Sequence, residues 1–354
     1  MNPKPSAGLK DKIASIIQTD GPLPVSVYMT LCLHDPFEGY YATRPGLGAD
    51  FITAPETSQI FGELLGLWAA HEWQRMGSPD RVLLVEAGPG RGVLMEDALR
   101  ATRGVPGFHD ALSLHLIEAS PALRDQQAAR LSAYAPHFHN EIEDLPTGVT
   151  IFIANELLDC LPARQFVSSE KGWHERLVGL DENSELQFQL SPPLMTPIDL
   201  PPSKTPGQNA EWQPGLDAFI AQLSDRATAG PLSALFIDYG PVAGRPGDTL
   251  RAYSEGKQVD PLANPGGSDL TVDVDFDRFC ALASAAGLNA SSPIPQGQFL
   301  LSLGAQHRLE QLINRNPDQA EQLFAGADKL INPAHMGERF KAVHISSADF
   351  PQSA

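Results

Sequence analysis

The stretch Val82-Leu83-Leu84-Val85-Glu86-Ala87-Gly88-Pro89-Gly90-Arg91-Gly92 decides the fold. Four consecutive apolar residues read as a strand buried on both faces, as in a parallel sheet, and three glycines turn it into a helix. Such a turn lays a nucleotide-like cofactor against a helix N-terminus. Two residues set it apart from the dinucleotide pattern. That pattern places its third glycine one position later, where this chain has Val93, and its strand does not ordinarily end in a carboxylate such as Glu86. Glu86 would repel a pyrophosphate. It suits a cationic head, and S-adenosylmethionine carries both an ammonium and a sulfonium.

The same rhythm continues outward. A helix to about residue 103, a strand over 112–117, a helix over 121–134 and a strand over 149–154 complete β-α-β-α-β, half of a doubly wound sheet. Beyond an interruption come a strand over 234–237, a helix over 272–286 closed by Gly287, a strand over 299–303 and a final strand over 340–345. Upstream, residues 9–76 read as helices and loops. Leu9, Ile13, Ile16 and Ile17 form one stripe, and Ser26 is placed to cap a helix through Tyr28, Leu31 and Leu33. A helix over 57–76 turns Ile60, Phe61, Leu64, Leu65, Leu67 and Trp68 to the core and stops at Gly77. The loop over 34–56 holds Gly39, Tyr40, Tyr41, Gly46, Gly48, Asp50 and Pro55. Its length points to function.

Residues 164–229 break the pattern. Alternation over 175–180 and 185–190 reads as exposed hairpin strands, and Pro192, Pro193, Pro197, Pro201, Pro202 and Pro206 then argue against regular structure. The expected organisation is an N-terminal helical region with a cofactor-covering loop (1–77), an α/β core (78–163 and 230–354), and an insertion with a hairpin and a proline-rich arm (164–229).

Composition narrows the function. The 354 residues carry 25 Lys and Arg against 43 Asp and Glu, a net charge of −18, and the basic residues Lys10, Lys12, Arg124 and Arg130 stand isolated. This charge argues against nucleic-acid binding. No apolar run reaches the ~20 residues of a membrane span, so no membrane insertion is expected. The first twelve residues lack an apolar signal core, which reads as a cytoplasmic protein. Cys32, Cys160 and Cys280 are widely spaced in apolar surroundings and read as reduced thiols. His137 and His139 read as surface-loop residues and no chelating motif occurs, so no metal is expected. Trp173 and Trp212 read as the small core of the insertion.

Candidate site residues gather at strand ends, where open α/β sheets bind ligands. Glu118, thirty residues after Gly88, can accept both hydroxyls of a ribose, and its charge excludes a 2′-phosphate. Asn155-Glu156-Leu157-Leu158-Asp159 follows the third strand, and Asp238-Tyr239-Gly240 follows the fourth and would line the same crevice. Cofactor contacts are therefore expected from Glu86, Gly88, Gly90, Gly92, Glu118 and Asn155. Gly48, Asp50 and Thr53 would come from the covering loop, with Gln59 and Glu63 below it. Asp238 and Tyr239 are the expected substrate contacts.

With these residues in place, the chain resembles the class I S-adenosylmethionine-dependent methyltransferases, and among them the MidA-like family, whose mitochondrial members are arginine methyltransferases assisting respiratory complex I assembly. The resemblance covers most of the chain. It is carried by His34-Asp35-Pro36-Phe37-Glu38-Gly39-Tyr40-Tyr41, by residues 50–63, by Glu86 to Gly92, by Asn155 to Asp159, by Ile237-Asp238-Tyr239-Gly240 and by Met336-Gly337-Glu338-Arg339-Phe340-Lys341. Leu157 and Leu158 stand where the family usually has an aromatic pair. The resemblance implies a seven-stranded, mostly parallel Rossmann-like sheet, S-adenosylmethionine as donor, and a protein arginine as acceptor, in mitochondria on the 49-kDa-type subunit of complex I.

An arginine acceptor sets a chemical problem, because guanidinium has a pKa above about 12 and a delocalised lone pair. Two carboxylates on its far nitrogens localise the charge there and fix its orientation. Glu156 and Asp159, with Asn155 beside them, are the first choice for that role, and Glu56 is the reserve. Three other readings stay open: an assembly chaperone that binds cofactor or partner without turnover, a nicotinamide-dependent oxidoreductase that conflicts with Glu86 and Val93, and a methyltransferase for a small cationic molecule. The apolar insertion hairpin offers a surface for a homodimer.

Overall fold

A computed structural model describes residues 8–43, 53–195, 200, 205–241 and 247–348. Its centre is a sheet in the order β14-β16-β10-β5-β2-β3-β4, with β15 also paired to β16. Strands β2 (Val82–Ala87), β3 (Leu112–Ile117), β4 (His137–His139), β5 (Thr150–Asn155) and β10 (Leu232–Tyr239) run parallel. The antiparallel edge is β16 (Phe340–Ser346), with the two-residue strands β14 (Asn289–Ala290) and β15 (Ile294–Pro295). This is the mostly parallel methyltransferase sheet expected from the sequence.

Strand pleat sorts the apolar residues into two cores. Val82, Leu84, Ile151, Ile153, Leu235 and Ile237 face one core, with α5 (Gln59–Arg75) and α6 (Val93–Ala101). The short helix α7 (Phe108–Ala111) and the C-terminal helices α11 (Gln296–Ser302), α12 (Ala305–Arg315), α13 (Ala320–Ile331) and α14 (Met336–Arg339) also contribute to it. Val85, Ala87, Phe152, Ala154, Ala234 and Phe236 face the other core, with α9 (Gly215–Thr228) and α10 (Phe276–Ala285). Helix α8 (Pro121–Arg130) follows β3. Helix α9 thus lies within the stretch grouped as insertion, yet packs Leu216, Ile220 and Leu223 on the central sheet.

A second, antiparallel sheet joins β1 (Leu23–Pro24), β6 (Arg164–Ser169), β7 (Gly172–Leu180), β8 (Leu186–Pro193) and β9 (Asn209–Trp212). Helices α1 (Leu9–Asp20) and α2 (Val25–His34) pack in a third core with Val178 of this sheet. Ala252 and Leu270 of a small sheet, β11 (Arg251–Ser254), β12 (Lys257–Val259) and β13 (Asp269–Thr271), complete that core.

Several local expectations change. Residues 299–303 are not a strand: Phe299 and Leu300 belong to α11, and Leu303 ends it. A five-residue run, apolar but for Ser302, carries no period of its own, and its packing partners are helical. Ser26 lies inside α2, which Pro24 precedes, and does not cap it. Leu67 is 40% exposed and faces away from the core. Pro192 and Pro193 end β8 rather than preventing it, because β8 is an edge strand whose outer N–H groups need no partner. His137 and His139 are on β4, stacked against His115 with an Nδ1 to Nε2 distance of 2.9 Å between His115 and His139.

Candidate active site at the strand ends

The glycine turn is built on left-handed backbone. Gly88, Gly90 and Gly92 have φ of 67°, 51° and 75°, a region that side chains disfavour. A Cβ on Gly88 would meet Leu157 Cδ1 at 3.0 Å, so the turn lies directly against the loop after β5. Gln127 of α8 braces it by donating Nε2 to the Gly90 carbonyl at 2.6 Å and to Glu118 Oε2 at 3.2 Å. The other oxygen of Glu118 accepts the Ser120 N–H at 2.8 Å. Burial raises the Glu118 pKa. No sequence pattern marks Gln127.

A cleft of about 910 Å³ opens here, lined by Gly88, Gly90 and Glu118 and also by a group comprising Tyr41, Glu156, Asp159, Tyr239 and Asp269. Thr53 also lines it. Six carboxylates border the cleft, those of Asp35, Glu118, Glu141, Glu156, Asp159 and Asp269. Neither lysine nor arginine is among the described residues lining it. Burial lowers the pKa of His34, the one histidine there, so it adds no charge at neutral pH.

Glu156 is the strained member. Its φ is 53°, which a residue with a side chain adopts only when its surroundings impose it. Its Oε1 accepts the Ala54 N–H at 3.1 Å and Asn155 Nδ2 at 3.0 Å. Desolvation lifts its pKa to about 7 despite those bonds, with Asp159 and Asp269 adding repulsion. Burial likewise raises Asp159, to about 6, against the hydrogen bond from the Tyr239 hydroxyl.

Other expected residues are placed differently. Glu86 does not line the cleft. It is 3% exposed beneath the turn, its Oε2 has no hydrogen-bond partner among the described residues, and burial beside Glu118 pushes its pKa to about 8. Glu56, on α4 (Ala54–Thr57), is held by Arg91 Nε at 2.7 Å and by the same guanidinium's Nη2 at 2.6 Å, so its charge is already matched. Asp238 is not among the lining residues, and its oxygens bind backbone N–H groups. Gln59 begins α5 and does not line the cleft. Glu63 is buried between Arg100 and Arg308, away from it. Gly48 and Asp50 lie outside the described residues. Sequence reasoning missed Asp269 and gave no role to Tyr41, which follows α2 within α3 (Tyr40–Thr43) and points its hydroxyl at Asp269 Oδ1, 3.4 Å away.

Residues 64–294 match the family described as "Putative S-adenosyl-L-methionine-dependent methyltransferase". The chain belongs to this methyltransferase family. It is 35% identical to the protein arginine methyltransferase NDUFAF7, mitochondrial, of Xenopus tropicalis, over 92% of this chain and 82% of that one. To the human protein of the same name it is 35% identical, over 92% and 80%. A crystal structure from Burkholderia thailandensis with S-adenosyl-homocysteine bound matches with a TM-score of 0.81. That match covers 99% of this chain and 97% of that one at 24% identity, and establishes the fold. The cytoplasmic placement read from the N-terminus is overturned by the relatives' names, which are mitochondrial.

This methyltransferase uses S-adenosylmethionine, and the cleft fits that cofactor. The Gly88 and Gly90 backbone admits a close ligand, Glu118 offers a carboxylate for ribose hydroxyls, and the orphaned oxygens Glu86 Oε2 and Asn155 Oδ1 supply negative potential below a cationic head.

Proposed function

We propose that this methyltransferase modifies the guanidinium of a protein arginine, with a complex I subunit of the 49-kDa type as acceptor. One observation carries the reading: Glu156, Asp159 and Asp269 line the same cleft, with Asp159 and Asp269 close enough to Glu156 to raise its pKa. A cationic group suits such a cluster of acids, because it stabilises their ionised forms. The relatives named as protein arginine methyltransferases support a protein arginine as the modified residue.

S-adenosylmethionine supplies a methyl group made electrophilic by its sulfonium. The chain supplies alignment and charge. Glu156 spends Oε1 on Ala54 and Asn155, which fixes the carboxylate and leaves Oε2 for an acceptor N–H. Asp159, oriented by the Tyr239 hydroxyl, takes a second nitrogen. Holding the far nitrogens draws the positive charge away from the attacking one, and a fixed approach removes the entropy of alignment. The attacking nitrogen sheds a proton as the new bond forms. A carboxylate whose pKa burial has raised to about 6 or 7 is matched to receive it.

The test is methyl transfer from tritiated S-adenosylmethionine to the 49-kDa-type subunit. E156Q and D159N should each lose roughly 100-fold or more in kcat. Calorimetric affinity for S-adenosylhomocysteine should change by less than about threefold, since neither side chain is assigned to the cofactor. Full turnover in E156Q would remove Glu156 from the chemistry.

A further inference from the structure

We propose that Asp238 is the positioning residue of the acceptor end, acting through the loop that carries Glu156 and Asp159. This rests on the reading that those two carboxylates hold the acceptor. Asp238 is 1% exposed at the end of β10. Its Oδ2 accepts three consecutive backbone N–H groups, from Leu157 at 3.1 Å, Leu158 at 2.8 Å and Asp159 at 3.2 Å. Its Oδ1 accepts the Tyr239 N–H at 2.8 Å. The N–H of Glu156 goes to the Ile237 carbonyl at 2.9 Å.

Four successive amides, 156 to 159, are thus held by two adjacent residues of one strand. That strand is fixed on both sides, by β5 through Ile237 and Asn155 and by β16 through Asp238 and Lys341. Amides converge on one oxygen only if the chain turns sharply just before them, and the turn is Glu156 at φ 53°. Glycine would adopt that φ without strain but would bring no carboxylate. Burial and the neighbouring Asp159 raise the Asp238 pKa, against the backbone N–H groups it accepts, and those accepted bonds are what make the strained residue stable where its carboxylate is required. Asp238 therefore touches neither cofactor nor acceptor; it aims the residues that do.

D238N tests this, because the amide keeps the shape while replacing one of the two oxygens that accept the loop's N–H groups with a donor. Turnover should fall about 100-fold, the usual cost of a displacement near 1 Å at the reacting groups. Affinity for S-adenosylhomocysteine should stay within about threefold, which a general loss of structure would not allow. A melting comparison needs no acceptor: E156G should melt above E156Q when Asp238 is present, by relief of the positive φ, and no higher in the D238N background, where the loop has relaxed. If D238N does not fold, D238S leaves a hydroxyl facing the same amides and carries the same expectations. Wild-type turnover in D238N, a parallel fall in cofactor affinity, or an equal E156G to E156Q difference in both backgrounds would overturn the proposal. An active E156Q removes the acceptor reading instead, whereas an inactive E156Q with an active D238N removes only the role of Asp238.

Discussion

Glu118 and Gly88 show how single residues divide the labour of the cofactor end. Glu118 is held by Ser120 and Gln127 in a fixed pose facing the cleft. E118A should weaken S-adenosylmethionine by about 10- to 100-fold, the worth of one or two hydrogen bonds to a charged acceptor, and leave kcat at saturation near wild type. Calorimetry and saturation kinetics check both halves, and an unchanged affinity would remove Glu118 from the site. G88A adds a Cβ against Leu157 at a φ of 67°. It should cost about 1–2 kcal/mol of stability in denaturant titration, and L157A in the same protein should return only the steric part. Most such residues were legible because motif position names them: Glu118 and Glu156 stand where a strand ends. Asp269 was not, since it comes from the small sheet over a hundred residues later in the chain, and neither was the pairing of Glu56 with Arg91, which requires the fold.

Elements were legible in proportion to their regularity. Strands β2, β3 and β5 with their helices follow from continuous apolar runs separated by helical spacing, whereas β4, His137 to His139, has no such run and reads as loop in the sequence. The error at residues 299–303 came from a run too short to show a period, and the C-terminal helices that enclose it were not separately read. Glu63 explains how those helices are tied down. On α5 it binds Arg100 of α6 at 2.9 Å and Arg308 of α12 at 2.7 and 2.8 Å, while being 1% exposed itself. Burial pushes its pKa up, but the two arginines outweigh that and hold it below the usual carboxylate range. E63Q should cost about 2–3 kcal/mol, less than a wholly buried pair because both arginines reach solvent. The stabilisation is present above the unfolded carboxylate pKa and lost as pH falls through the lower folded value. A chemical-denaturation series at pH 7 and below pH 4 checks this, and an equal loss at both pH values would contradict it.

At the scale of the molecule the net charge of −18 and the site point the same way. Burial raises Glu86 to about 8, Glu156 to about 7 and Asp159 to about 6. Folded pKa values above the unfolded ones mean that this contribution to stability is full below about pH 4 and fades as pH rises to about 8. Without ligand, stability from these groups therefore declines across the neutral range. A cationic cofactor above Glu86 favours its ionised form, so affinity should rise with pH between about 6 and 8 and binding should release up to about one proton at pH 6.5. Calorimetry in buffers of different ionisation enthalpy measures that number, and proton uptake would contradict the electrostatic account. Composition could predict a cation-accepting protein. It could not show which carboxylates gather in one cleft and which, such as Glu56 and Glu63, are paired with arginines outside it.

The most direct measurement uses trideuteromethyl S-adenosylmethionine with the 49-kDa-type subunit, followed by mass-spectrometric mapping of the label. The account predicts deuterated methyl on a guanidino nitrogen of arginine, absent with E156Q. Label on a lysine or a carboxylate, or none from a protein that binds S-adenosylhomocysteine normally, would contradict it.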